Sequence, residues 1–279
     1  MEERTMATKL RRFSHSLVDT MLDCSRKAYY RYVEEIPSPK SSALVKGSAC
    51  DEAWNVALSA KVDGDVLSLT DTEEITEQKF RDEVANEGGV SAIDWGDDDD
   101  PKASARASLD AAIRLTRTWH KDLYPLIEPT LVQIELHRPL PSGRDFIGFL
   151  DFEGTVDGRE VVADNKTASR AMPASDADKA LQAYAYAWLK DEPIDFAFVR
   201  AIETKGGRAN SEIVFTRRSD GDIEWYGELV ATVEQQFEAG MFPPNPKSFL
   251  CSRKLCPYFE RCQPHRVISG PSPQESQEE

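Results

Sequence analysis

The sequence has no apolar run approaching the roughly 18 residues that can cross a bilayer, so no transmembrane helix and no membrane partner are expected. Its first residues, MEERTMATKLRRF, lack the apolar core of a secretory signal, which points to a cytoplasmic protein. Positive charge is in short supply: 34 Lys and Arg stand against 49 Asp and Glu, a formal charge of -15. Taken alone, that balance argues against a nucleic-acid partner, because phosphate binding rewards a basic surface. There are only five cysteines, an odd count that does not suit a disulfide scaffold and leaves metal or redox use. No GxxxxGK[ST] loop occurs, which excludes a P-loop helicase or ATPase, and there is no internal repeat. What remains is 40% hydrophobic and 30% charged over 279 residues. That is the balance of a folded globular chain, long enough for one large domain or two small ones.

The charge is unevenly spread. Residues 1–40 carry a net charge of +2 and residues 241–266 a net of +4, whereas residues 41–110 carry -11. The acidic excess gathers in Asp71 to Glu77 and Asp97 to Asp100. Four of the five cysteines lie in the two mildly basic ends: Cys24 in the first, Cys251, Cys256 and Cys262 in the last. The tail 269–279 is rich in Pro, Ser, Gln and Glu and reads as disordered.

Hydrophobic spacing predicts helices over 14–33, with Ser14 as N-cap, and over 44–60, 72–87 and 102–122. The pattern then turns to strands at 130–138, 145–154 and 159–166. A helix is expected at 175–190, strands at 194–202 and 211–216, and a helix at 220–239. Helices followed by a strand meander with an intervening helix imply an α/β (α+β) fold.

The stretch 148–169, GFLDFEGTVDGREVVADNKTAS, carries the most chemistry. Asp157-Gly158 between β-rich arms signals a two-residue type I′ hairpin, which pairs Val156 with Arg159. The same register places Asp151 opposite Asp164, with Lys166 on the face of Asp164. Like charges opposite one another are destabilising, and the neighbours Ile147, Phe149, Leu150, Val161 and Val162 are apolar. A shared proton, the Lys166 ammonium or a hard divalent cation could compensate. The competing reading is an exposed hairpin face on which both acids are solvated.

These residues resemble a known family. Gly148-Phe-Leu-Asp151 followed by Asp164-Asn-Lys166 is similar to the two central motifs of the PD-(D/E)XK nuclease superfamily. Gln182-Ala-Tyr-Ala-Tyr186 resembles the QxxxY motif of its RecB-like exonuclease branch, and Glu135 matches an acidic residue common before the hairpin. Cys24 with Cys251-x4-Cys256-x5-Cys262 resembles the iron–sulfur subgroup, which includes CRISPR-associated exonucleases and AddB-type domains. The resemblance implies a restriction-endonuclease-like core in a single nuclease domain over 1–268. It further implies a central mixed sheet flanked by helices, an N-terminal helical part and a helical insertion at about 61–125. A C-terminal iron–sulfur region would cover 249–265. It also implies Asp51, Asp151, Asp164 and the Asn165 carbonyl as ligands of Mg²⁺ or Mn²⁺, with Lys166 stabilising phosphate charge or placing the attacking water. Gln182 and Tyr186 would contact the strand, and Cys24, Cys251, Cys256 and Cys262 would hold a [4Fe–4S] cluster, zinc being the rival. One departure stands out: Asp51 occupies the place where the family usually has a histidine, in Gly47-Ser-Ala-Cys50-Asp51. Cys50 is then a buried small residue, and His15, His120, His137 and His265 are structural or surface groups.

The expected function is a metal-dependent deoxyribonuclease, an exonuclease on single-stranded DNA, serving repair, recombination or CRISPR-like processing. A helicase, recombinase or integrase would be its partner. The alternatives are a catalytically weak DNA-binding or assembly subunit that keeps the fold, and a structural protein without a nucleic-acid role.

Overall fold

The structure is a computed structural model and describes residues 12–96 and 100–262. Asp97 to Asp99, His265, the last residues of the expected iron–sulfur region and the 269–279 tail lie outside the described residues. Among the described residues no helix is long and apolar enough to cross a membrane. The chain divides into two compact units that interleave in sequence.

The larger unit comprises Pro39–His137 and Ile147–Tyr226. It opens with three helices: α2 (Ser42–Val62), α3 (Leu69–Asn86) and α4 (Pro101–Thr118). Ser41 caps α2 by accepting the Leu44 N–H, and a Ser68–Asp71 capping box starts α3. Asp100 caps α4 by accepting the N–H groups of Lys102 and Ala103. Part of the acidic excess therefore sits where helix dipoles favour it. Val45, Ala49, Ala53, Trp54, Ala57 and Leu58 form the apolar stripe of α2. They pack with Leu115, Trp119 and the β-sheet residues Ala163, Ala197 and Val199 in one core, where Trp54 and Trp119 stack at 5.2 Å.

The sheet strands are β2 (Ile127–Pro139), β3 (Asp145–Val156), β4 (Arg159–Ala168), β5 (Ile194–Thr204) and β6 (Arg208–Arg218). β2 pairs with β3, and the order continues β3-β4-β5-β6. The sheet is mixed: β4 and β5 run parallel, whereas β3 with β4 and β5 with β6 are antiparallel. Helices flank this central mixed sheet, as the restriction-endonuclease-like expectation required. Asp157 and Gly158 adopt φ of 48° and 76°, the two positive values of a type I′ turn. The ladder then runs from Val156↔Arg159 to Phe152↔Ala163. It ends there, one step short of Asp151 and Asp164, while β4 continues beside β5 as far as Ala168↔Ile202. Close approach of β2 requires Gly154, since a Cβ there would stand 2.2 Å from the Glu128 carbonyl oxygen.

The single helix expected over 175–190 is two helices, α5 (Ala174–Lys179) and α6 (Leu181–Lys190), broken at Ala180 with ψ of 112°. The cause is remote in sequence. The buried Arg218 guanidinium donates to the carbonyls of Ala177 and Asp178 at 2.9 and 3.0 Å, the acceptors a continuous helix would have used.

The smaller unit comprises Met1–Ser38, Arg138–Phe146 and Gly227–Glu279. β1 (Arg12–Phe13) pairs in parallel with Asp145 and Phe146. α1 (His15–Ala28) starts at the Ser14 cap and passes into a π-turn over Tyr29–Val33. α7 (Asp220–Glu238) contributes its second half, where Phe237 meets Phe13 and Phe242 edge-on at 5.4 and 5.3 Å.

Candidate active site

Where β3 and β4 part, the larger unit gathers three carboxylates and one ammonium. Asp151 closes the unpaired end of the ladder by accepting the Asn165 N–H on Oδ2 at 2.7 Å. Asp164 is 1% exposed. Its Oδ1 accepts from Lys166 Nζ at 2.9 Å and from Gln182 Nε2 at 2.6 Å. Its Oδ2 is buried and lies 2.9 Å from the same ammonium. Asp51 reaches the group from α2, near enough for Asp164 and Lys166 to act on its carboxyl.

The electrostatics follow from this crowding. Burial pushes the Asp151 carboxyl well above the usual range; Asp164 and Asp51 add to the rise, while Lys166 opposes it. Asp51 is raised by burial and by Asp164, with Lys166 and a hydrogen bond from Asn55 acting against the shift. Burial disfavours the Lys166 charge, but Asp164, Asp151 and Asp51 outweigh it and hold the ammonium protonated.

Gln182 also donates to the Tyr186 hydroxyl at 3.3 Å, and that hydroxyl donates to the Phe149 carbonyl. Tyr186 is 1% exposed. The QxxxY pair thus ties Asp164 to the start of the fork in β3, with the tyrosine beneath the surface. The Asn165 side chain turns to the opposite face, where Oδ1 accepts the Trp119 indole N–H at 3.1 Å. The oxygen expected from this residue is thereby limited to its main-chain carbonyl. Glu135 stands apart, paired with His137 on an exposed part of β2. His120 is bound to the Leu67 carbonyl, and Cys50 is buried, with burial pushing its thiol up to about 12.

The donor set suits a hard cation, since every candidate ligand is an oxygen. Among the described residues, however, no three Asp, Glu, His or Cys side chains stand in ready metal-holding geometry. Lys166 takes that place against Asp164. A cation entering here would meet the right chemistry and would have to draw the carboxylates together.

In the smaller unit, Cys24, Cys251, Cys256 and Cys262 line one pocket with Tyr30, Leu250, Tyr258 and Phe259. α1 leaves helical geometry at Cys24, with φ of -158°, and its sulfur accepts the Asn245 N–H at 3.4 Å. Burial raises the Cys251 and Cys262 thiols, and the neighbouring cysteines raise them further. Sequence reasoning missed Trp119 and the ion pair of the buried Arg200 with Glu212. A charged residue inside the apolar run Phe196 to Ile202 was the available signal for the latter.

No curated protein matches the sequence. Among solved structures, the fold is similar to that of a "putative exonuclease" from Eubacterium rectale, with a TM-score of 0.51 and 13% identity over 95% of this chain and 96% of that one. At that identity the likeness concerns the fold alone. The sequence of residues 12–263 matches the family model of the PD-(D/E)XK nuclease superfamily. With the carboxylates and lysine of that motif gathered at the fork of β3 and β4, the chain belongs to the PD-(D/E)XK nuclease superfamily.

Proposed function

We propose that this nuclease is a metal-dependent exonuclease acting on single-stranded DNA. The observation that carries the reading is the cluster of Asp51, Asp151, Asp164 and Lys166 at the fork. The three carboxylates would hold Mg²⁺ or Mn²⁺, which when bound polarises the phosphodiester and acidifies water. The protonated Lys166 stabilises charge growing on the attacked phosphate. Gln182 keeps Asp164 aimed, and Tyr186 anchors Gln182 to β3. The carboxylates repel a strand on their own, so cation loading and DNA binding are expected to reinforce each other. Linear and circular single-stranded DNA separate exonuclease from endonuclease. With Mg²⁺ or Mn²⁺, linear strands should fall to short products, circles should persist, and EDTA should stop the reaction. Cleavage of neither substrate would defeat the proposal.

A second reading is favoured by two observations: Asp51 in place of the family histidine, and the absence of a ready ligand trio among the described residues. It is a DNA-binding or assembly subunit of low activity. Binding without cleavage in the same experiment would support it.

We also assign the four cysteines of the smaller unit to a [4Fe–4S] cluster, with zinc as the rival. The shared pocket, the N–H donated to Cys24 and the enclosing aromatic rings support this assignment.

A further inference from the structure

Two basic residues lie between the second half of β4 and α5: Lys166 and Arg170. Lys166 is committed to Asp164. Beside it, in register on β5 and on the same face of the sheet, stands Arg200. Like charges on adjoining strands repel. Here Glu212, the partner of Arg200 across β5 and β6, neutralises the guanidinium in an ion pair whose arginine is 7% exposed.

The pair does more than cancel charge. Arg200 donates from Nη2 to the Arg170 carbonyl at 3.1 Å, and Glu212 Oε1 accepts the Met172 N–H at 2.9 Å. The turn leaving the catalytic strand is thus held at two main-chain points by one ion pair whose arginine is buried. That turn presents the exposed side chain of Arg170, which has no ion pair among the described residues. It lies four positions along the chain from Lys166, a reach of roughly 14 Å at most, or a few nucleotides along a strand.

We propose that Arg170 binds a backbone phosphate of the DNA strand seated at the carboxylates, and that Arg200 and Glu212 are the positioning pair that sets it there. This rests on the nuclease reading above. A guanidinium suits the task because it can grip phosphate oxygens with two parallel N–H groups. In a site dominated by carboxylates, an uncommitted cation at the exit of the catalytic strand offsets repulsion without entering the metal position.

The test is fluorescence anisotropy of labelled oligothymidylate with the full chain in EDTA, repeated over a salt series. Arg170→Ala should weaken binding about threefold or more at low salt and reduce the salt slope by about 0.7 to 1. Arg170→Lys should keep most of the slope. Arg200→Met should reproduce the loss with Arg170 still present, and should add nothing in the Arg170→Ala background. Thermal melting checks that each variant is folded. If Arg200→Met fails to fold, the two Arg170 variants decide alone. Wild-type affinity and slope in Arg170→Ala would overturn the proposal. Failure of the unaltered protein to bind the oligonucleotide at low salt, both in EDTA and with Ca²⁺ supplied to load the carboxylates, would instead overturn the nuclease reading beneath it.

Discussion

Asp151 carries the cost of this site in one side chain. It stands in an enclosed place beside two other carboxylates, and its raised pKa records a charge that the fold tolerates poorly. Since the folded-state value lies above the ordinary 3.8, protonation favours the folded chain. In EDTA the melting temperature should therefore rise as pH falls from neutral into the window above 3.8. Saturating Mg²⁺ should flatten that slope, and melting curves in the two conditions check it. Asp151→Asn should stabilise the metal-free protein by about 1 kcal/mol while removing activity, because the amide oxygen can still accept the Asn165 N–H. A lower melting temperature in EDTA would count against the account. Tyr186→Phe deletes the hydroxyl shared by Gln182 and the Phe149 carbonyl and should cost about 1 kcal/mol in denaturant unfolding. Asp151 and Asp164 were legible in sequence because a hairpin links them at short range, whereas Asp51 was placed only by the family resemblance. The Trp119 bond to Asn165 was not, because it spans 46 residues and carries no local signal.

Among the elements, the hairpin of β3 and β4 was readable down to its register, since Asp-Gly dictates the turn and the turn dictates the pairing. The end of the ladder was not. It depends on β4 leaving β3 for β5, which no pattern within the hairpin expresses. The fork is what makes a site: the last antiparallel pair is Phe152↔Ala163, and the acids lie one step beyond it. The break at Ala180 escaped the sequence for a similar reason, because Arg218, 38 residues later, claims the helix carbonyls. Gly154 shows how close the strands run. Gly154→Ala should destabilise the protein by about 2 kcal/mol or more, because the methyl group would meet main-chain oxygen that cannot move aside cheaply. Chemical denaturation measures this, and a change within about 0.5 kcal/mol would contradict the observed packing.

Across the whole molecule, the charge of -15 does not describe a uniformly acidic surface. Asp71 and Asp100 cap helices, Glu73 and Glu83 are ion-paired, and Asp51, Asp151 and Asp164 converge at the fork. The same distribution leaves the two cysteine-bearing ends mildly basic. If the cysteines hold the proposed cluster, anaerobically purified protein should be brown with about four irons per chain. Cys24→Ser should lower that content, whereas stoichiometric zinc without iron would establish the rival. Whether the fork is the active site is decided by three proteins compared side by side. Unaltered protein, Asp164→Ala and Lys166→Ala, each shown to be folded by circular dichroism, are incubated with Mg²⁺ or Mn²⁺ and end-labelled single-stranded DNA. The unaltered protein should degrade the DNA and both variants should not; equal activity in all three would show that the fork is not the active site.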